Sequence, residues 1–326
     1  LHITSRRQRQ MCIRDRFFSI IIPLYNKEKF IENTIQSALN QTFLDFELIV
    51  VNDGSTDRSL ELVKAFKDQR IKIYTIRNGG VSNARNFGIQ KARTNLIVLL
   101  DADDLWKSNH LEELYNLRKA HPNCGLYAMG YTKKFDNANP INAHYFGLEN
   151  YYGVVPDFFS ASTVDCVAWT SAVMIPKDVF KNIGYFNESL KSGQDTEMWI
   201  RIALNYKVAF CSIKTACKVL CFDENHLSIS EHKIDRLKIF EQFKDSESKY
   251  SALKKYLDLN RFSIAVDRKI NGDFENYNLL KNSILKKNLN FKQRLLLKCP
   301  KVVLIGLKKI QRRLIQQNIY LSPFKH

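Results

Sequence analysis

A chain of 326 residues with 45% hydrophobic and 25% charged content is long enough to bury a full core. This excludes a disordered or fibrous protein and predicts one large domain with an appendage. The formal charge is +17, of which +4 falls in the first sixteen residues and +13 in the rest; nucleic acid, an anionic membrane surface and a polyanionic substrate all suit it.

The segment RRQRQMCIRDR, Arg6 to Arg16, reads as a translated sequencing-library adapter, so residues 1–16 are expected not to be native. From Phe17 to Ile22 an apolar, β-branched run closed by Pro23 predicts a strand buried on both faces. A helix is predicted from Asn26 to Asn40, where Phe30, Ile31, Ile35, Ala38 and Leu39 recur at helical spacing. The alternation continues with strand Phe46 to Val51, turn Asn52-Asp53-Gly54, helix Asp57 to Phe66, strand Ile71 to Ile76, helix Val81 to Lys91 and strand Leu96 to Leu100. Such alternation predicts an α/β fold, a mostly parallel doubly wound sheet with helices on both faces. Ligands bind such sheets at the carboxyl ends of the strands, where the acidic turns after Val51 and Leu100 fall.

Beyond Leu105 the pattern loosens: helix Ser108 to Ala120, strand Gly125 to Tyr131, an aromatic loop-rich stretch Phe135 to Phe159, strand Ser171 to Ile175 and helix Asp195 to Leu204. This half is expected to lay loops and aromatic residues over the sheet edge. From His232 the chain reads as lysine-rich helices interrupted only at Asn271-Gly272 and Pro300. The expected division is therefore 17–230 for a catalytic domain and 231–326 for a basic helical region. Seven cysteines, with no C-x-x-C pair and no ligands to complete a zinc site around Cys211, Cys217 and Cys221, point to a reducing, cytoplasmic compartment. Apolar stretches such as FFSIIIPLY and VVLIGL fall well short of the ~20 residues a membrane span needs, so neither a transmembrane helix nor a signal peptide is expected.

The segment FSIIIPLYNKEKFIENTIQSALNQTFLDFELIVVNDGSTDRS closely resembles the opening of glycosyltransferase family two. The likeness continues through GGVSNARNFGI, LIVLLDADDLW and GYFNESLKSGQDTEMWIRIAL, covering about Ser19 to Leu204 in the family's order. It implies the A-type glycosyltransferase fold and an inverting, metal-dependent sugar transfer.

Asp53, with Pro23 and Tyr25 beside it, matches the family's nucleotide site, where a carboxylate accepts the imide N–H of uracil or thymine; an Asx-turn or helix cap is the alternative. Asp101-Ala102-Asp103-Asp104 looks like the family's metal motif, with Asp103 as direct ligand to Mn2+ or Mg2+ and Asp101 toward the ribose or the metal. Its alternative is an N-cap for the following helix. Asp195 matches the general base, or forms a capping box with Ser192; the family more often has glutamate where Gln194 stands. Arg85 suits diphosphate oxygens or the base, or is a solvated helix arginine, and His226 reaches the metal or diphosphate, or is structural. Trp169, Trp199, Tyr151 and Tyr152 are either a sugar platform or core.

The basic amphipathic stretch FKQRLLLKCPKVVLIGLKKIQRRLI suits either an anionic membrane interface or packing on the catalytic domain. The resemblance implies a UDP- or dTDP-linked donor, a glycan or polyprenyl-linked acceptor in surface-polysaccharide synthesis, and a cytoplasmic enzyme, peripheral on the inner face of the cell membrane if the basic stretch binds lipid. Two rivals stand beside it. A sugar-phosphate nucleotidyltransferase usually has a glycine-rich loop after the first strand, where PLYNKEKF stands here. A nucleic-acid-binding protein would show steep salt dependence, and the resemblance argues against nucleic acid as a partner.

Overall fold

The computed structural model describes residues 17–135, 138–220, 236–320 and 322–324, so the adapter-like residues 1–16 and His226 lie outside the described residues. Among the described residues ten strands form one sheet, in the order β3 (Ile71–Thr75), β2 (Phe46–Asn52), β1 (Phe18–Leu24), β4 (Leu96–Leu99), β9 (Val173–Pro176), β6 (Leu126–Phe135), β10 (Val208–Leu220), β5 (Leu105–Trp106), with β7 (Ile141–Asn142) on β6 and β8 (Tyr152–Val154) on β10. The chain runs β1 (Phe18–Leu24), α1 (Ile31–Leu39), β2 (Phe46–Asn52), α2 (Ser59–Ala65), β3 (Ile71–Thr75), α3 (Val81–Lys91), β4 (Leu96–Leu99), β5 (Leu105–Trp106) and α4 (His110–Ala120). It continues through β6 (Leu126–Phe135), β7 (Ile141–Asn142), β8 (Tyr152–Val154), α5 (Phe158–Ala161), β9 (Val173–Pro176), α6 (Lys177–Ile183), α7 (Gln194–Asn205) and β10 (Val208–Leu220).

Strands β3, β2, β1 and β4 pair in parallel, with Ile21 opposite Ile49 and Leu99. Their central members are buried along almost their whole length, which is why they read as continuous apolar runs rather than alternating ones. β9 then enters antiparallel to both β4 and β6, while β10 runs parallel to β6. The sheet is thus parallel from β3 to β4 and mixed beyond β4.

Helix α1 begins five residues later than the periodicity predicts. Asn26 takes a positive φ of 49°, its side-chain oxygen accepts the Thr56 N–H at 2.8 Å, and the Lys27 N–H donates to Ser59 Oγ at 2.7 Å. The turn before α1 is therefore held by the β2–α2 loop instead of continuing the helix. Helix α3 lies close on the sheet through Gly88, where an added Cβ would stand 2.5 Å from the Ile21 side chain. Gly88→Ala is expected to destabilise the fold by about 1–3 kcal/mol through overpacking, read as a lower urea midpoint with unchanged slope.

The C-terminal region comprises α8 (Arg236–Gln242), α9 (Lys244–Lys249), α10 (Ser251–Asn271), α11 (Phe274–Ser283), α12 (Phe291–Lys298) and α13 (Lys301–Gln316). The long α10 buries Leu253, Leu257, Phe262 and Ala265. Its fully buried Asp258 accepts from Lys254 Nζ (2.5 Å), Arg261 Nη1 (3.1 Å), Leu285 N (3.1 Å) and Asn288 Nδ2 (2.7 Å), so the charge is paired on every side. Tyr256 meets Phe159 with ring centroids 5.8 Å apart, and one continuous hydrophobic core joins these helices to the sheet domain. Among the described residues no helix is long and apolar enough to cross a membrane.

Candidate active site

Two acidic segments stand where parallel strands end, one after β2 and one after β4. The Leu24 carbonyl at the end of β1 accepts the Asp53 N–H at 2.8 Å, which continues the β1–β2 ladder by one residue and sets Asp53 just past Asn52. Pro23, which has no N–H, lies within β1 opposite Val51, and the following Tyr25 is 47% exposed. Asp53 is only 3% exposed. Its two carboxylate oxygens accept the N–H groups of Gly79 (2.8 Å) and Gly80 (2.9 Å), clasping the turn that starts α3. Burial pushes this carboxyl above its usual range, and the two backbone donors oppose that. Neither local role foreseen for Asp53 is filled by it: Asn52 Oδ1 accepts the Ser55 N–H, and Asp57 Oδ1 accepts the Ser59 N–H at the start of α2. A carboxylate has about four acceptor positions, so two remain for a ligand.

After β4 the turn Asp101–Asp104 closes by the Asp104 N–H donating to the Asp101 carbonyl (3.1 Å), and Thr34 Oγ1 donates to the carbonyls of Ala102 and Asp104 (both 3.0 Å). Its three carboxylates have different partners. Asp104 is buried against the Ser171 hydroxyl (2.6 Å) and the Val219 N–H (3.1 Å). Burial first, then the charges of Asp103 and Asp101, hold its carboxyl well above the usual range, so Asp104 is an internal strut. Asp101 meets Arg85 Nη2 at 2.6 Å, and Asp103 meets Lys27 Nζ at 2.7 Å. Because β5 intervenes and Asn109 precedes α4, neither Asp103 nor Asp104 caps that helix.

Arg85 is 4% exposed, with its guanidinium 5.3 Å from the Phe186 ring centre and its Nε without a hydrogen-bond partner. It is not a solvated helix arginine; it holds Asp101. Asn86, next on α3, exchanges two hydrogen bonds with the Phe186 backbone (2.9 and 3.0 Å) and reaches Glu188 at 2.8 Å. The segment leading to Asp195 is thereby stitched to the helix that carries Arg85.

Asp195 lies half-buried in the first turn of α7 behind Gly193, whose φ of 82° starts the helix. The capping box foreseen with Ser192 does not form: Ser192 Oγ accepts from Arg236 Nε at 3.1 Å, and Asp195 Oδ1 accepts the N–H of Thr196 at 2.7 Å. Burial, with the Asp195 charge adding to it, pushes the Cys166 thiol up to about 11 and the Tyr256 phenol well above its usual range, so both neighbours stay protonated. Trp169 and Trp199 are buried in the core, Tyr151 is half-buried and Tyr152 is 46% exposed.

Several supports escape a sequence reading. Ser171 donates to Asp104 Oδ2, accepts the Asp101 N–H (3.0 Å), and its carbonyl receives Trp106 Nε1 (2.6 Å). Glu197 is buried between Arg201 (2.6 Å) and Gln242 (2.7 Å), which ties α7 to α8. Only Glu197 and Arg201, four residues apart on one helix, carry a local signal.

Among the described residues no group of three or more His, Cys, Asp or Glu side chains is arranged to hold a metal ion. The oxygen donors on the Asp101–Asp103 turn nonetheless fit Mg2+ or Mn2+, which bind through one or two carboxylates with substrate phosphates and water completing the shell. A cavity of about 450 Å³ lies elsewhere, beside Asp157, Phe159, Lys249 and Tyr250, and includes none of these acids.

A family model described as Glycosyl transferase family 2 matches residues 19–184, about half the chain, and the chain belongs to that family. It is 34% identical over 192 residues to an uncharacterized glycosyltransferase of Rickettsia bellii (strain RML369-C), covering 59% of this chain and 27% of that protein. To the minor teichoic acid biosynthesis protein GgaA of Bacillus subtilis (strain 168) it is 30% identical over 206 residues, covering 58% of this chain and 44% of that one. The chain thus spans about a quarter to less than half of these relatives. The structure of S. aureus TarS residues 1–349 in complex with UDP-GlcNAc superposes with a TM-score of 0.58 at 19% identity, over 82% of this chain and 91% of that one. The protein is therefore a family 2 glycosyltransferase with an A-type fold and a helical C-terminal region.

Proposed function

We propose that the chain transfers a sugar, with inversion, from a UDP-linked donor to a glycan or lipid-linked oligosaccharide acceptor, within residues 17–230. The observation that carries this reading is the position of Asp53, Asp101 and Asp103 at the carboxyl ends of β2 and β4, the two parallel strands that flank β1. Support for the donor comes from TarS, whose structure holds UDP-GlcNAc, and for a surface-polysaccharide product from GgaA, named for teichoic acid biosynthesis.

In this reading Asp53 accepts the uracil imide N–H beside Pro23 and Tyr25. Asp103 and Asp101 hold Mn2+ or Mg2+, which supplies positive charge to the leaving diphosphate. Lys27 and Arg85, already within 2.7 Å of these carboxylates, keep the two acidic side chains fixed while the donor binds. Asp195 takes the proton of the acceptor hydroxyl as that oxygen attacks the anomeric carbon opposite the diphosphate. No covalent sugar intermediate forms, and an α-linked donor gives a β-linked product.

Calorimetric titration of UDP, once with manganese and once with EDTA, tests the site. Binding only with manganese is the expected result; no binding in either buffer overturns the donor assignment.

A further inference from the structure

The positive charge of this protein is not spread over it. Of the formal +17, +4 falls in residues 1–16, and the 51 residues from Asn276 to His326 hold 12 lysines and arginines with no aspartate or glutamate, which leaves only +1 for residues 17–275. The sheet domain and α10 are together nearly neutral, and one terminal block of helices is strongly basic.

Within that block α13 is amphipathic in an unusual sense. Its inner side is already used: Leu304 and Ile315 are buried, and Lys308 pairs with Asp267 of α10 at 2.8 Å. Packing on the protein therefore accounts for one face. The opposite side turns apolar residues outward, with Val302 79%, Val303 45%, Leu307 43% and Ile310 53% exposed. Val303, Leu307 and Ile310 recur at helical spacing, so they share one stripe, and exposed Val302, Lys309 and Arg313 border it. On the preceding α12, Phe291 (74% exposed) and Leu295 (53%) form a second exposed apolar pair four residues apart. A helix of a soluble domain normally turns its polar face to water; here the outward face is the apolar one.

We infer that α12 and α13 dock this protein on an anionic lipid bilayer, inserting the stripe of Val303, Leu307 and Ile310 among the acyl chains while the flanking lysines and arginines meet lipid phosphates. The combination selects this occupant. A nucleic-acid surface asks for cations without an exposed Val/Leu/Ile row, and a second copy would bring another acid-free block carrying +12 against the first. An interfacial helix needs an apolar face and basic flanks together. Each cation near an anionic surface strengthens binding roughly fivefold, and that share falls as salt rises. The surface stands on its own geometry; only its purpose, bringing Asp195 to a lipid-linked acceptor, rests on the proposed transfer.

The test is co-sedimentation of the full chain with vesicles of phosphatidylcholine alone or mixed with phosphatidylglycerol. Binding to the mixed vesicles only is expected, with Val303→Asp/Ile310→Asp reducing it at least about tenfold and leaving manganese-dependent UDP binding as in the parent. A second variant, Lys309→Glu/Arg313→Glu, keeps the apolar stripe and decides the matter if the first does not fold; it too is expected to lose vesicle binding. Equal binding to both vesicle types, undiminished binding of either folded variant, or a lipid-free dimer that the variants turn into monomer overturns the inference. Because UDP binding is read on the same samples, failure of the docking surface is distinguished from failure of the nucleotide site.

Discussion

Asp195→Asn is expected to lower kcat by about 10²–10⁴ while UDP affinity stays within about twofold of the parent. An amide keeps the shape of the side chain, and its carbonyl oxygen can still accept the Thr196 N–H that Asp195 Oδ1 accepts at 2.7 Å. What it lacks is basicity. Since no capping box depends on Asp195, the start of α7 should survive the change, so a fall in turnover is not explained by a lost helix end. Turnover with a UDP-sugar, measured beside UDP titration on the same preparation, checks this; wild-type kcat removes Asp195 as the base.

Asp103→Asn is expected to bring UDP affinity in manganese down to its level in EDTA, a loss of at least about tenfold, or about 1.4 kcal/mol. A hard divalent cation prefers carboxylate oxygen, and the amide offers a weaker, uncharged donor. The substitution also leaves the Lys27 ammonium beside a neutral group in place of its 2.7 Å partner. Asp104, one residue on, is no substitute ligand, because its oxygens are buried against Ser171 and Val219. Calorimetry with and without manganese reads the effect, and affinity that still depends on manganese as in the parent takes Asp103 out of the metal site.

These predictions rest on partners that no stretch of sequence displays. The motif Asp101-Ala102-Asp103-Asp104 shows three like carboxylates, yet the structure gives one to Arg85, one to Lys27 and one to a buried serine. Residues 16, 76 and 67 positions away make those distinctions. The same holds for Ser192, which reads as a helix cap but accepts from Arg236, 44 positions further on. It holds for Asn26, which reads as the first residue of a helix but bonds to Thr56.

The sequence by itself determined the alternation of β1 to β4 with α1 to α3, because a strand buried on both faces must be apolar throughout and a helix packed by one face must repeat every three to four residues. It also placed the acidic turns at strand ends, since those residues follow their strands directly in the chain. The antiparallel entry of β9 between β4 and β6, the clasp of Asp53 on Gly79 and Gly80, and the face of α13 left open to solvent were decided by the tertiary structure. Periodicity records how much of each element is buried; which distant group fills a given hydrogen bond or covers a given face depends on how the elements pack, and that information is spread over the whole chain.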